Sequence, residues 1–167
     1  MSSLEIYKQR EIISYDRGVF TTKEEPVVQE TPLTIFLNQI ELATMVCSPG
    51  AYQELGVGFL LTEGLVQVPS DIISMSLREE EGLLQIETSR PIPQTGTFLR
   101  RHIASCCGKS RAGLYFINDA RQLKPIESDS RFSAGHLLQI INGLEDRSGT
   151  FRLTGGVHSA ALADQDR

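Results

Sequence analysis

Hydrophobic and polar positions alternate, then stretch to helical spacing, then alternate again along this chain. Residues 33–37 (Leu-Thr-Ile-Phe-Leu) are rich in strand formers, Asn38-Gln39 suits a turn, and residues 40–46 are apolar with polar interruptions. That pattern predicts a β-hairpin, with Pro32 marking a strand start or an edge. Upstream, Ile12-Ile13 and Val19-Phe20 read as strand fragments and Lys23-Glu24-Glu25-Pro26 as a loop. Ser48-Pro49 predicts a helix start, a hydroxyl cap followed by proline at the first helical position. Tyr52, Leu55, Phe59 and Leu60 follow at helical spacing and Gly64 is a natural stop. Gly56 and Gly58 each weaken that helix by about 1 kcal/mol against alanine, so close packing on a sheet is their expected use. Glu54 and Glu63 are expected on its solvated face.

Residues 72–77 and 83–88 predict two strands joined by a hydrated acidic tip, Arg78-Glu79-Glu80-Glu81-Gly82. Pro91-Ile92-Pro93-Gln94-Thr95-Gly96 is the clearest breaker and divides an N-terminal α+β part, 1–93, from a second part, 94–167. In the second part, residues 113–117 predict a strand. Ser133 caps a helix whose apolar stripe is Leu137, Leu138, Ile140, Ile141 and Leu144, and on which His136 is structural or exposed. Residues 150–153 predict a strand running into Thr154-Gly155-Gly156-Val157-His158 and a small-residue helix over 159–163. A strand, a two-glycine turn and a helix N-terminus suit an anion or nucleotide, although the spacing matches no Walker or dinucleotide fingerprint. His158, in the first turn of that helix, can donate to a phosphate or act as an acid or base, or be a surface residue on a packing turn.

Composition narrows the classes. Of 167 residues, 40% are hydrophobic and 22% charged, enough for a globular core. A net charge of −5 argues against a general nucleic-acid binder, while leaving local basic patches free to hold an anion. Three cysteines, Cys47, Cys106 and Cys107, do not make a disulfide framework. The start Met1-Ser2-Ser3-Leu4-Glu5 is not a signal peptide, and no run of about 18 apolar residues spans a membrane. A reducing cytoplasm is the expected compartment.

The chemistry concentrates in Arg101-His102-Ile103-Ala104-Ser105-Cys106-Cys107-Gly108-Lys109-Ser110-Arg111. Two thiols sit among small residues, with Arg100, Arg101, Lys109 and Arg111 around them. Neighbouring cations lower a thiol pKa and so favour the reactive thiolate, and Gly108 permits a tight turn. Three readings follow: a reactive or sulfur-handling loop, a metal site, or an inert pair. A vicinal disulfide would need strained geometry. A metal site wants three or four ligands, and there is no second cysteine pair and no His-x-Glu near 154–162. A cysteine hydrolase would want a histidine base, which His102 or His158 could supply. A sulfur carrier needs less: an exposed thiolate, a positive surround and a docking surface. Cys47 is expected to be a buried structural thiol.

Four stretches together resemble the formate dehydrogenase accessory sulfurtransferase family (FdhD/NarQ). They are Thr31-Pro32-Leu33-Thr34-Ile35-Phe36-Leu37-Asn38; Cys47-Ser48-Pro49 with Leu55-Gly56-Val57-Gly58-Phe59-Leu60-Leu61-Thr62-Glu63-Gly64; Ser105-Cys106-Cys107-Gly108-Lys109; and Thr154-Gly155-Gly156-Val157-His158-Ser159-Ala160-Ala161-Leu162. The resemblance covers nearly everything after Glu25. It implies a mixed α/β fold, with a cytidine-deaminase-like three-layer α/β/α part and an additional α+β subdomain. It also implies a persulfide carrier that takes sulfur from a cysteine desulfurase. The sulfur would pass to the molybdenum cofactor, in its bis-molybdopterin guanine dinucleotide form, before that cofactor enters formate dehydrogenase. Cys106 and Cys107 are the implied persulfide carriers. Arg101, Lys109, Arg111, Gly155, Gly156 and His158 are the implied cofactor-side residues, the guanine nucleotide moiety among their ligands, with no metal ion held directly by the protein.

Two departures matter. Many members carry Cys-x-x-Cys-Gly; here the cysteines are adjacent, so Cys107-Gly108 matches the second cysteine and its glycine, and Cys106 the first only across a gap. Cys106 is favoured and both stand. Members also continue well beyond residue 167, so the deaminase-like part is expected to be C-terminally truncated here, with an exposed edge that favours pairing, as in a homodimer. A cofactor-binding module without sulfur transfer and a deaminase-like hydrolase with a cysteine nucleophile are the alternatives.

Overall fold

A computed structural model describes residues 5–90, the backbone of 101–103, and residues 125–164. Two compact units form, interleaved along the chain. One takes in described residues 30–90 and 101–103, the other 5–29 and 125–164. The architecture is mixed α/β, as expected. The expected boundary between 1–93 and 94–167, and the strand expected at 113–117, fall outside the described residues.

The first unit is built on a five-stranded sheet. Its strands are β3 (Thr31–Leu37), β4 (Ile40–Cys47), β5 (Ile72–Arg78), β6 (Leu83–Thr88) and β7 (Arg101–Ile103), in the order β5-β6-β3-β4-β7. β3 and β4 form the predicted antiparallel hairpin, and β5 and β6 the second antiparallel pair. The two are joined by parallel pairing of β3 with β6, Thr34 opposite Leu83 through Leu37 opposite Ile86. Strand alternation decides the buried face. Leu33, Ile35 and Leu37 point into the core with Leu84 and Ile86, while Thr34 and Thr44 meet on the other face through their hydroxyls, 2.9 Å apart.

The helix α1 (Tyr52–Thr62) closes that core with Tyr52 and Leu60. Gly56 has the predicted use: a Cβ there would collide with the Leu84 side chain. Gly58 meets nothing within 4 Å. The expected start at Ser48-Pro49 is corrected. Pro49 is buried before the helix, and Gly50 (φ 99°) and Ala51 (φ 49°) turn the chain through left-handed conformations, so that the helix begins at Tyr52. The reason is tertiary: Tyr52 is buried and its hydroxyl lies 3.1 Å from Thr31 Oγ1, which fixes where the helix meets the sheet. At the other end Gly64 (φ 70°) reverses the chain, its N–H donating to the Leu61 carbonyl at 3.1 Å, and Leu65 and Val66 return into the core.

The second unit holds a two-stranded sheet, β1 (Tyr7–Asp16) and β2 (Val19–Val28), with α2 (Ala134–Arg147) and α3 (Gly149–Thr154). Arg17 (φ 47°) and Gly18 (φ 90°) form the tight two-residue turn that suits strand twist. β2 therefore runs straight through Lys23–Pro26, where a loop was expected. Pro26 pairs with Gln9, and the strand lies at a sheet edge, where a missing N–H is tolerated. Ser133 caps α2 as predicted, accepting from the His136 N–H at 3.1 Å. The strand expected at 150–153 is corrected to the short helix α3, and no helix follows at 159–163. Among the described residues, no helix is long and apolar enough to cross a membrane.

Candidate functional site

Of the sequence-predicted residues, Cys106, Cys107, Lys109 and Arg111 lie outside the described residues, as does the side chain of Arg101. The backbone of Arg101 opens β7, which runs parallel to β4 with Arg101 opposite Ala43, His102 opposite Thr44 and Ile103 opposite Met45. The cysteine stretch therefore follows in sequence from a strand held at the β4 side of the sheet.

At the end of β4, Cys47 is half-buried against the core, and its thiol points to the Thr31 carbonyl at 3.7 Å. Burial pushes this thiol above its ordinary pKa; the Thr31 contact lowers it and the Glu30 charge raises it. The raised pKa disfavours the thiolate that sulfur transfer uses.

A polar latch holds the end of β6, from which the chain departs toward β7. Asn38, left-handed in the β3–β4 turn (φ 46°), accepts from the Thr88 N–H at 2.8 Å and donates to the Arg90 carbonyl at 3.3 Å. Arg90 Nε in turn donates to Asp71 Oδ2 at 2.8 Å, and its NH2 group to Gln67 Oε1 at 3.0 Å. Asp71 also accepts from the backbone N–H of Gln67 (2.8 Å) and Val68 (3.2 Å). Those N–H groups, the Gln67 one first, outweigh partial burial and with Arg90 hold the Asp71 carboxyl below its ordinary range. The turn role of Asn38 is local, whereas its bonds to Thr88 and Arg90 span 50 and 52 positions. Arg90 and Asp71 stand 19 positions apart and carried no local signal.

Gly155, Gly156 and His158 lie in the second unit. Gly155 (φ 63°) is the left-handed C-cap of α3, its N–H donating to the Phe151 carbonyl at 2.7 Å. Gly156 lies against Val28, whose Cγ1 would stand 2.7 Å from an added Cβ. The turn therefore ends a helix where it was expected to begin one. A helix C-terminus presents carbonyls and negative potential, so the dipole argument for anion binding does not apply at this turn. His158 is exposed and lines an open cleft of about 290 Å³ with Leu144, Glu145, Ser148, Phe151, Val157 and Ser159. His136, on α2, is half-buried and its Nε2 lies 3.2 Å from the Asp164 carbonyl.

The FdhD/NarQ family matches residues 28–167, from the end of β2 through the cysteine stretch and the Gly155 turn. This chain belongs to the FdhD/NarQ family. It is 36% identical over 164 residues to the sulfur carrier protein FdhD of Shouchella clausii, covering 96% of this chain and 61% of that protein. It is 39% identical over 160 residues to the sulfur carrier protein FdhD of Geobacillus kaustophilus, covering 95% and 60% respectively. The chain thus spans about three-fifths of the length of these curated relatives. Among solved structures it is similar to a putative formate dehydrogenase accessory protein from Desulfotalea psychrophila. The match has a TM-score of 0.48 at 22% identity over 54% of this chain and 38% of that one.

Proposed function

We propose that this FdhD/NarQ chain carries sulfur as a persulfide on Cys106 or Cys107 for maturation of the molybdenum cofactor of formate dehydrogenase. The observation that carries the reading is the family match across the Cys106-Cys107-Gly108 stretch, with relatives named as sulfur carriers. Cys47, packed against the core with its thiol donating to the Thr31 carbonyl, is less available for the task than an open thiol. In the loading step a Cys106 or Cys107 thiolate attacks the terminal sulfur of a cysteine desulfurase persulfide. A new S–S bond forms, the desulfurase S–S bond breaks, and the desulfurase thiolate leaves. The sulfane sulfur keeps its proton and oxidation level, so no external oxidant is needed. Arg101, Lys109 and Arg111 favour the anionic sulfur and the phosphates of the cargo.

The cargo is bis-molybdopterin guanine dinucleotide, with Gly155, Gly156 and His158 on its side of the protein. The cleft there has His158, Ser159, Ser148 and the Glu145 carboxylate as its polar lining, and Leu144, Phe151 and Val157 as its apolar surface, so the imidazole and the hydroxyls are the groups that can meet the cargo. The deaminase-like layering, a cytoplasmic setting and a homodimer belong to the same proposal. The test is mass spectrometry after incubation with a cysteine desulfurase and cysteine. A gain of one sulfur on the Cys106-Cys107 peptide, abolished by the double Cys106→Ala/Cys107→Ala change, is the expected result. No gain under conditions that load the desulfurase itself would overturn sulfur carriage and leave a cofactor-binding module.

A further inference from the structure

The β1–β2 hairpin has two faces of unlike character. Cross-strand partners share a face, and every second pair falls on the same one. One face has Arg10 opposite Glu25 and Ile12 opposite Lys23, with the Lys23 ammonium donating to the Glu25 carboxylate at 2.7 Å. Its charges are matched within the hairpin. The other face has Glu11 opposite Glu24, Ile13 opposite Thr22 and Tyr15 opposite Phe20. Two carboxylates placed directly opposite repel one another, and neither of these meets a cation among the described residues.

From that acidic pair toward the Arg17-Gly18 turn, the same face is apolar and open. Ile13 is 73% exposed, Tyr15 63% and Phe20 71%. The two rings touch, with centroids 4.9 Å apart and planes inclined at 46°. Each ring orders the other, so a partner gains contact area with little further loss of rotamer freedom. Glu11 stands four residues from Tyr15 along β1, about 13 Å away. The face is an apolar anchor with an anionic socket at a set distance from it.

We infer that this face docks a segment of a partner protein carrying Lys or Arg at that same spacing from an apolar or aromatic side chain. The cation sits between Glu11 and Glu24 and relieves their repulsion, while the apolar side chain covers Ile13, Tyr15 and Phe20. Charge selects this occupant. The carboxylates repel an anionic bilayer, and a second copy using the same face brings two more carboxylates and no cation. Nothing in the inference uses the paired cysteines, so it stands or falls separately from the persulfide assay.

The experiment titrates the full chain into two labelled synthetic peptides and reads fluorescence anisotropy. They are identical except for Lys-Thr-Lys or Glu-Thr-Glu placed four residues before a Phe-Thr-Ile anchor. The basic peptide is expected to bind at least about 20-fold tighter than the acidic one, with the gap narrowing as salt is raised. Glu11→Gln/Glu24→Gln erases the preference and Glu11→Lys/Glu24→Lys reverses it, which a collapsed hairpin could not do. Phe20→Ser weakens the basic peptide at least about tenfold. No binding of the basic peptide at millimolar concentration overturns the inference, as does equal binding of the two or a preference that survives the Gln double change. The inference is also overturned if the peptides fail while phosphatidylglycerol vesicles bind, or if they fail while the chain self-associates and Phe20→Ser breaks that association; the occupant is then a membrane or a second copy.

Discussion

The two units draw on similar stretches of alternating and helical pattern but end in opposite states. In the sheet unit, eleven apolar residues from β3, β4, α1, the turn after it and β6 close on one another. In the hairpin–helix unit, β1–β2, α2 and α3 bury none of their described residues, and Ile13, Phe20 and Leu138 are each more than half exposed. The difference is one of covering layers. The sheet presents one apolar face and α1 supplies the matching one. A hairpin with two short helices has more apolar surface than it can cover by itself. Local propensity is comparable in the two; what separates them is the availability of a second face.

The sharpest way to break this comparison is to delete one methylene cluster in each unit. Leu60→Ala, at a fully buried position, is expected to cost about 2–5 kcal/mol in urea unfolding. Leu138→Ala in the chain alone is expected within about 0.5 kcal/mol of the parent. Equal costs would show that the second unit has a core after all.

Next in size is the glycine pair of α1. Both Gly56→Ala and Gly58→Ala gain up to about 1 kcal/mol of helix propensity. Only the former meets Leu84, which overpacking sets at about 1–3 kcal/mol. Gly58→Ala should therefore raise the melting temperature and Gly56→Ala should not. Asn38→Ala, which strands the Thr88 N–H, should cost about 1–3 kcal/mol. Asn38→Gly keeps the left-handed backbone yet loses the same bonds, so it should recover only the strain component.

A smaller effect follows pH. The Asp71 carboxyl titrates below its unfolded value of about 3.9. Its stabilisation is therefore complete above that value and lost as pH falls through the lower folded pKa. Asp71→Asn should destabilise the sheet unit at pH 7, and the gap to the parent should close on acidification. Smallest is Cys47: because burial raises its pKa, alkylation at pH 8 should be slower than for a free thiol in solution. Rapid labelling of Cys47 would remove the contrast between it and the paired cysteines.

Much of the sheet unit was legible in the chain. The period-two runs at 33–37 and 83–88, the Asn38-Gln39 turn and the packing use of Gly56 all follow from side-chain size and spacing. The β1–β2 hairpin was only half legible, because charged residues fill Lys23–Pro26 and only Gly18 marks the turn. Thr-Phe-Arg-Leu at 150–153 carries strand formers, but a helix forms there, with the Thr154 hydroxyl donating to the Thr150 carbonyl at 2.7 Å and Gly155 closing it. Four residues are too few for periodicity to distinguish the two states.

The sequence by itself determined the reactive chemistry proposed here: adjacent thiols in a cation-rich, small-residue stretch carry their character in covalent neighbours. It also determined the family, because four motifs in order are a linear property. Tertiary structure alone decided that α1 begins at Tyr52 and that Asn38, Asp71 and Arg90 form one latch. Each depends on which groups meet across tens of residues, and hydrogen bonding and burial at such separations leave no local periodic trace.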